Sequence, residues 1–236
     1  MELEYPGLDE FLRVALDEDI GTGDITTNCC VAESAMSKGA FIAKEPGVIC
    51  GLGVASRVFK LLDDAVCVTP LFHDGEAVNV GDVVAEISGP SRAILTGERT
   101  ALNLLQHMSA VASRTAEAVR EISGTMAIIK DTRKTTPGLR ALDKYAVKCG
   151  GGANHRFNLA DGVLIKDNHI KAVGSIKNAV RQVRNGIQAN MAEETPPLLR
   201  DSFPIEVETE TLAQVEEALE AGADIIMLDN MPENDG

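Results

Sequence analysis

The spacing of apolar residues changes along this chain of 236 residues. Residues 8–18 and 91–123 carry apolar side chains at intervals of three and four, which predicts a short amphipathic helix and, later, a long helical region. Between them lie an acidic, turn-rich stretch at 18–24 and a series of short apolar runs separated by glycine at 35–88. The second pattern predicts a small, mostly β module.

Beyond Gly124, apolar runs alternate with helical patterns. Apolar strands that alternate with helices are typical of a parallel sheet, which is either open or closed into a barrel. Residues 185–202 are predicted to form an exposed loop. The predicted strands are 126–129, 162–165, 205–208 and 224–228, and the predicted helices are 139–149, 175–184 and 211–221.

Charged residues directly follow three of these predicted strands. They are the pairs Lys130-Asp131, Lys166-Asp167 and Asp229-Asn230. In a parallel barrel the working residues lie at the carboxyl ends of the strands. The sequence therefore predicts that these charged ends contribute to one functional site.

Composition and charge narrow the classes of function. The chain is 44% apolar and has a net charge of −14, which argues against nucleic acid as a partner. No apolar run approaches the roughly 20 residues of a membrane span, and the acidic N-terminus is unlike a signal peptide, so we expect a cytoplasmic protein. Residues 130–171 nevertheless hold nine Lys and Arg against four acids, a net charge of +5. Such an island suits a small polyanionic ligand, although a basic surface helix would give the same count.

Two segments of this island have side chains suited to anions. Arg133 offers a planar guanidinium for carboxylate or phosphate, and Lys134 offers a compact positive charge. Three glycines at 150–152 precede His155 and Arg156. Glycines let a backbone approach a ligand closely and expose its amides, although a glycine triplet alone is more often a flexible turn. Its position beside His155 and Arg156, between two other cationic strand ends, favours a ligand site.

Acidic residues at the predicted strand ends suggest metal chemistry. Glu206 and Glu208 alternate with Val207 and so share one face of a strand, while Asp229 ends the next strand. Carboxylate oxygens suit Mg²⁺ that is held jointly with substrate phosphates. The alternative is a set of internal ion pairs between these acids and lysines.

Eight segments of the chain resemble segments of the quinolinate phosphoribosyltransferase family. They occur in the order and with the spacing of that family, and the resemblance extends over nearly the whole chain. They are 18–27 (Glu-Asp-Ile-Gly-Thr-Gly-Asp-Ile-Thr-Thr), 97–103 (Gly-Glu-Arg-Thr-Ala-Leu-Asn), 131–135 (Asp-Thr-Arg-Lys-Thr), 144–147 (Lys-Tyr-Ala-Val), 150–156 (Gly-Gly-Gly-Ala-Asn-His-Arg), 165–169 (Ile-Lys-Asp-Asn-His), 206–208 (Glu-Val-Glu) and 228–231 (Leu-Asp-Asn-Met).

The resemblance implies an α/β protein with two domains. Residues 1–115 would form an N-terminal α/β sandwich with a helical arm, and residues 116–236 an incomplete, open α/β barrel. Members of the family continue with further strand–helix units after the segment that ends this chain, so the barrel is expected to be truncated. The subunits are expected to pair head to tail as a homodimer that shares its active site across the interface.

The resemblance also implies the substrates and the residues that bind them. The substrates would be quinolinate and phosphoribosyl pyrophosphate. The residues implied for the two carboxylates of quinolinate are Arg99, supplied by the partner subunit, and Arg133, His155, Arg156 and Lys166.

Four residues are implied in the reaction itself. Lys134 and Lys166 would contact phosphoribosyl pyrophosphate, and Glu208 and Asp229 would face the ribose and the cofactor Mg²⁺. The implied reaction is phosphoribosyl transfer with decarboxylation, which belongs to NAD biosynthesis.

Three other functions compete with this one. A truncated member of the family could bind the dicarboxylate without catalysis, and a related transferase could act on another aromatic acid. Residues 74–82 also resemble the hairpins of biotinyl and lipoyl carrier domains, but they lack a lysine at the hairpin tip.

Overall fold

Helices and short strands alternate along the computed structural model of the chain, which describes residues 3, 5–190 and 203–231. The chain divides into two compact units, Met1–His155 and Arg156–Gly236. Each unit has its own buried apolar cluster. The fold is mixed α/β, and no sheet closes into a barrel within the described residues.

The first unit combines two small antiparallel sheets with five helices in its described part. One sheet has the strand order β1-β5-β3 and the other pairs β2 with β4. The elements are α1 (Leu8–Ile20), α2 (Ile25–Cys30), β1 (Met36–Ile42), β2 (Gly47–Val48), α3 (Leu52–Leu62), β3 (Cys67–Pro70), β4 (Ala77–Val78), β5 (Val83–Pro90), α4 (Ser91–Glu121) and α5 (Arg140–Cys149).

The mostly β interpretation of residues 35–88 is wrong for α3. Leu52, Ala55, Val58 and Phe59 recur at helical spacing, and all four are buried in the core of the first unit. Gly51 precedes the helix with a φ of 102°, a left-handed conformation that favours glycine. Gly51 therefore marks the start of a helix and does not separate two strands.

The hairpin that resembled a carrier domain is not formed. Strands β4 and β5 both exist, but β4 pairs with β2, whereas β5 pairs with β1 and β3. A hairpin requires the two consecutive strands to pair with each other. The carrier interpretation of residues 74–82 thus has no structural support.

The long helix predicted after residue 91 is confirmed, and it is unbroken from Ser91 to Glu121. It packs closely against α3 because Gly97 lacks a side chain. A Cβ atom at Gly97 would lie 2.8 Å from Leu62 Cδ1 and 3.0 Å from Phe59 Cδ1. This close packing fixes the part of α4 that carries Arg99.

The second unit is a parallel sheet with the strand order β6-β7-β8, as the strand–helix alternation predicts. No helix in the described part of the chain is long and apolar enough to cross a membrane. The elements are β6 (Val163–Ile165), α6 (Asp167–Val173), α7 (Ile176–Asn190), β7 (Ile205–Thr209), α8 (Leu212–Ala221) and β8 (Ile225–Leu228).

Two sequence-based predictions need correction here. Residues 126–129 form no strand, since Met126 and Ile128 are exposed and the only pairing nearby is an isolated bridge between Lys130 and Ala153. The loop predicted from residue 185 begins later, because α7 continues to Asn190. The remainder of that predicted loop, residues 191–202, lies outside the described residues.

Candidate functional site

A buried ion pair underlies the cationic loop that follows Lys130. The ammonium of Lys144, on α5, lies 2.5 Å from Asp131 Oδ1, and the two side chains are only 3% and 7% exposed. A buried charge needs such a partner because its desolvation is costly. Both residues are counted in the net charge of +5 over residues 130–171, yet they neutralise each other inside the protein.

The same carboxylate also holds the chain at His155. Asp131 Oδ1 accepts a hydrogen bond from the His155 backbone N–H at 2.8 Å, and Lys144 Nζ donates to the His155 carbonyl oxygen at 3.0 Å. With its amide oriented so that the nitrogen meets acceptors, Asn154 donates to Asp131 Oδ2 at 2.8 Å and to the Lys144 carbonyl oxygen at 2.9 Å. One buried network therefore fixes the segments that carry Arg133 and His155.

Arg133 and Lys134 follow this network directly. The Nε atom of Arg133 is buried, and no described residue is its hydrogen-bond partner. A buried donor without an acceptor is costly, so its presence suggests that a ligand supplies the acceptor. Lys134 is exposed and free to reach an anion in solvent. The pair fits a ligand that carries carboxylate or phosphate oxygens.

His155 is the last residue of the first unit, and Arg156 is the first of the second. Both are partly buried. Arg156 donates from one terminal nitrogen to the Gly162 carbonyl oxygen at 2.9 Å, which orients its guanidinium along the segment before β6. Part of the Arg156 side chain is thus used structurally.

The glycine triplet at 150–152 has a packing role that the sequence interpretation missed. A Cβ at Gly150 would clash with the carbonyl oxygen of Ala112 and lie 2.6 Å from Thr115 Cβ, both on α4. A Cβ at Gly152 would lie 2.8 Å from Thr115 Cγ2. The missing side chains allow α4 to approach the end of α5, and this accounts for both glycines without a ligand.

Gly150→Ala should therefore destabilise the protein, by about 1–3 kcal/mol as for other overpacked positions. The Gly150 φ of −77° is accessible to any residue, so the change isolates the clash with α4. Gly186→Ala is the matched control, because Gly186 lies inside α7 and a Cβ there would meet no atom of the described residues within 4 Å. That variant should gain up to about 1 kcal/mol from helix propensity. Equal urea midpoints for the two variants would refute the packing explanation.

In the second unit, the sheet brings charged residues to the ends of adjacent strands. Lys166 follows β6, and its ammonium lies 2.6 Å from Glu208 Oε2 on β7. Their side chains are 41% and 15% exposed, so the pair is accessible to a ligand. Glu208 thus forms an ion pair with a lysine, which was the alternative to a metal ligand.

Asp229 lies at the same end of the sheet, where the carboxyl ends of the strands meet. Its backbone N–H donates to the Thr209 carbonyl oxygen at 2.8 Å, and it lies two residues beyond Met227, the register partner of Glu208. Since side chains alternate along a strand, Asp229 and Glu208 belong to the same face. Lys166, Glu208 and Asp229 therefore lie at the carboxyl end of one sheet, whereas Lys130 and Asp131, which were also predicted to follow a strand, do not.

The acidic residues at the carboxyl end of this sheet could hold a metal ion only with additional ligands. Within the described residues, no group of three or more His, Cys, Asp or Glu side chains could hold an ion alone. Glu208 and Asp229 would suit Mg²⁺ only as two carboxylates completed by other oxygens. Mg²⁺ is commonly held in this way, with substrate phosphates as the remaining ligands.

Arg99 lies exposed on α4, and in the part of the chain that is described no group pairs with its guanidinium. Farther along α4, His107 Nε2 lies 2.6 Å from Asp143 Oδ1 on α5 and joins the two helices. This contact was not predicted from the sequence. Its members are 36 residues apart, so no local spacing could have revealed the contact.

Two sequence models of one family match the chain. The model described as "Quinolinate phosphoribosyl transferase, N-terminal domain" matches residues 24–109. The model described as "Quinolinate phosphoribosyl transferase, C-terminal domain" matches residues 111–235. The two matches follow each other in order and leave one residue between them.

Individual relatives agree with these matches. A "Probable nicotinate-nucleotide pyrophosphorylase [carboxylating]" from Bacillus subtilis is 46% identical over 91% of this chain and 70% of its own length. The corresponding Mycobacterium leprae protein is 42% identical over 98% of this chain and 78% of its own. The crystal structure of NadC from Streptococcus pyogenes is 44% identical and superimposes with a TM-score of 0.88, covering 99% of this chain and 79% of that one.

Proposed function

The chain belongs to the quinolinate phosphoribosyltransferase family, and we propose that it catalyses the reaction of that family. It transfers the phosphoribosyl group of phosphoribosyl pyrophosphate to quinolinate and removes the ring 2-carboxylate. The products are nicotinate mononucleotide, CO₂ and pyrophosphate, so the enzyme is a pentosyltransferase of NAD biosynthesis. The observation that carries this conclusion is the ordered match of both family domains over residues 24–235.

We further propose that the finer architecture follows the family. Residues 1–115 would correspond to an α/β sandwich with a helical arm and residues 116–236 to an open α/β barrel. The parallel order β6-β7-β8 supports the barrel assignment, because a barrel is built from such strand–helix units. Homodimer formation, with Arg99 supplied to the partner subunit, and a cytoplasmic location remain predictions.

For quinolinate binding we propose the cationic residues of the resemblance. Two carboxylates on an aromatic ring need donors in fixed directions, and a guanidinium provides two parallel N–H groups. The buried Nε of Arg133 supports its role, because an incoming carboxylate would supply the missing acceptor. The full proposed set is Arg99, Arg133, His155, Arg156 and Lys166.

The reaction begins when the pyridine nitrogen donates its lone pair to the anomeric carbon of the ribose. The bond from that carbon to the pyrophosphate oxygen breaks, and its electrons leave with the diphosphate. We propose that Lys134 and Lys166 neutralise the developing negative charge, while Glu208 and Asp229 stabilise the cationic sugar in the transition state. Mg²⁺ held by Glu208 and Asp229 would supply further positive charge for the leaving group.

Decarboxylation completes the sequence. The bond between ring carbon 2 and its carboxylate breaks, CO₂ leaves, and the electron pair that remains on the ring carbon takes up a proton. The positive ring nitrogen created by the first step favours this loss, because it stabilises the adjacent electron pair. The cations that bind the second carboxylate keep the ring in place throughout.

Calorimetric titration with quinolinate, followed by phosphoribosyl pyrophosphate with Mg²⁺, should show binding of both substrates and formation of nicotinate mononucleotide. Quinolinate binding without product would instead favour the non-catalytic alternative. Turnover with a different pyridine acid but not with quinolinate would favour the related transferase. A folded protein that binds neither substrate would refute the proposed function.

A further inference from the structure

The segment at residues 18–27 belongs to the family resemblance but has no role in the chemistry above. In the structure it leads into α2, a short helix that lies against α4. The Thr96 hydroxyl on α4 donates to Asp24 Oδ2 at 3.1 Å. At the other end of α2, Arg92 Nε donates to the Val31 carbonyl oxygen at 2.9 Å. Arg92 Nη2 also lies 3.4 Å from the Asn28 carbonyl oxygen, so polar contacts attach α2 to α4 at both of its ends.

The residues on α4 that make these contacts lie in one stripe with Arg99. Arg92, Thr96 and Arg99 occupy positions i, i+4 and i+7, which share one face of a helix. The C-terminal end of α2 meets Arg92 and its N-terminal end meets Thr96, so α2 runs antiparallel to α4. Arg99 is the next residue of this stripe along α4. It lies beyond the point where Thr96 meets the N-terminal end of α2.

Asp24 is fixed firmly enough to orient its neighbour. Its Oδ1 accepts the Thr27 backbone N–H at 2.9 Å and so caps the N-terminus of α2. Hydrogen bonds from Thr27, with a smaller contribution from Thr96, lower the pKa of Asp24 and so favour its charged form. Gly21 and Gly23, with φ of 56° and 138°, make the turn that delivers Asp24 to this position.

The side chain of Arg99 is less constrained than the backbone that carries it. Its side chain is exposed, and among the described residues none hydrogen-bonds or pairs with its guanidinium. A long side chain of this kind has many rotamers, and their loss on binding lowers affinity. Because Thr96 precedes Arg99 by three residues of the same helix, the hydrogen bond that holds Thr96 also holds the backbone from which the Arg99 side chain extends.

We propose that Asp24 is a positioning residue that acts through Thr96 to orient the Arg99 turn of α4, and thereby sets the affinity for the dicarboxylate substrate. The inference rests on the proposed role of Arg99 in quinolinate binding. It gives a role to the segment Gly21-Thr22-Gly23-Asp24, whose last residue contacts α4 and which is not proposed to touch substrate.

The cleanest test is Thr96→Val, which removes the hydroxyl but keeps the shape of the side chain and the cap of α2. Loss of one hydrogen bond should weaken quinolinate binding about three- to tenfold by calorimetry. The affinity for phosphoribosyl pyrophosphate should not change. Thr96→Ser retains the hydroxyl and should restore quinolinate binding. Asp24→Ala should match Thr96→Val, and the double variant should be no weaker than Asp24→Ala alone.

Arg99→Ala separates failure of this inference from failure of the underlying function. If Arg99→Ala weakens quinolinate binding while Thr96→Val binds as the parent does, the positioning role is wrong and the role of Arg99 stands. If Arg99→Ala has no effect, the role of Arg99 is wrong and the inference fails with it. Equal losses for both substrates in Thr96→Val would indicate general damage and also overturn the inference. Thr211→Ala, which removes the cap of α8, controls for helix-cap loss in Asp24→Ala.

Discussion

Replacing Lys144 with methionine should lower the free energy of unfolding by about 3–5 kcal/mol, because it leaves a buried carboxylate without its cation. Lys144 and Asp131 are almost fully buried and lie 2.5 Å apart. Methionine fills a similar volume, so the expected loss reflects the unpaired charge more than a cavity. Equilibrium unfolding in urea would measure the change as a shift of the midpoint.

Lys171→Met provides the matched control for Lys144→Met. Lys171 pairs with Asp167 at 2.7 Å, but their side chains are 73% and 44% exposed. Exposed pairs of this kind contribute little to stability because water already solvates both charges. The urea midpoint of Lys171→Met should therefore stay close to that of the parent. Similar losses of stability in the two variants would show that the buried pair of Lys144 contributes no more than an exposed pair.

Removing both charges should not repair the damage. In Asp131→Leu/Lys144→Met the ion pair is gone, and for an isolated pair such a change is often neutral. Here Asp131 also accepts the backbone N–H of His155 and the amide of Asn154, and these donors would lose their acceptor. Full recovery of stability in the double variant would mean that the network matters only through its charges.

The net charge of residues 130–171 illustrates what a sequence can and cannot reveal. It correctly drew attention to a cluster of cations, but it counted Lys144 and Lys166 as if they were free. Lys144 is paired with Asp131, and Lys166 with Glu208 from a strand 42 residues away. Such partners depend on which strands become neighbours, and a local count of charges contains no information about that.

Elements with a strong period were predictable, whereas short ones were not. The long helix α4 and the parallel strands β6, β7 and β8 follow directly from the spacing of their apolar residues. By contrast, α2 has six residues and one buried side chain, Thr27, so it has almost no period to detect. The only local sequence feature that indicates α2 is Asp24, because aspartate is favoured at the N-cap of a helix.

The glycines at 150 and 152 show a second kind of ambiguity. A glycine is required wherever the backbone comes close to something, and the sequence does not say whether that is a ligand or another helix. The structure identifies α4 as the neighbour at both positions. The segments that carry Arg133 and His155 are thus held by packing and by a buried network, both formed by residues distant in sequence.

Replacing Arg133 with alanine should reduce kcat/KM for quinolinate by at least about a hundredfold, since a guanidinium–carboxylate pair in a desolvated site is worth several kcal/mol. Folding should hardly change, because the buried Nε of Arg133 has no hydrogen bond to lose within the described part of the chain. Arg156→Ala is a less clean experiment, since Arg156 also donates to the Gly162 carbonyl oxygen.

Arg133→Lys tests the geometry of the interaction separately from its charge. Lysine keeps the positive charge but lacks the two parallel N–H groups that match a carboxylate, so its activity should fall between those of the parent and Arg133→Ala. Steady-state kinetics with quinolinate, run beside thermal unfolding, would measure both effects. Discrimination against nicotinate, which has a single carboxylate, should weaken in Arg133→Ala, because a buried arginine left unpaired is what penalises the smaller acid. Parental kinetics in Arg133→Ala would show that the carboxylates of the substrate are bound elsewhere, and the buried Nε would then need another acceptor.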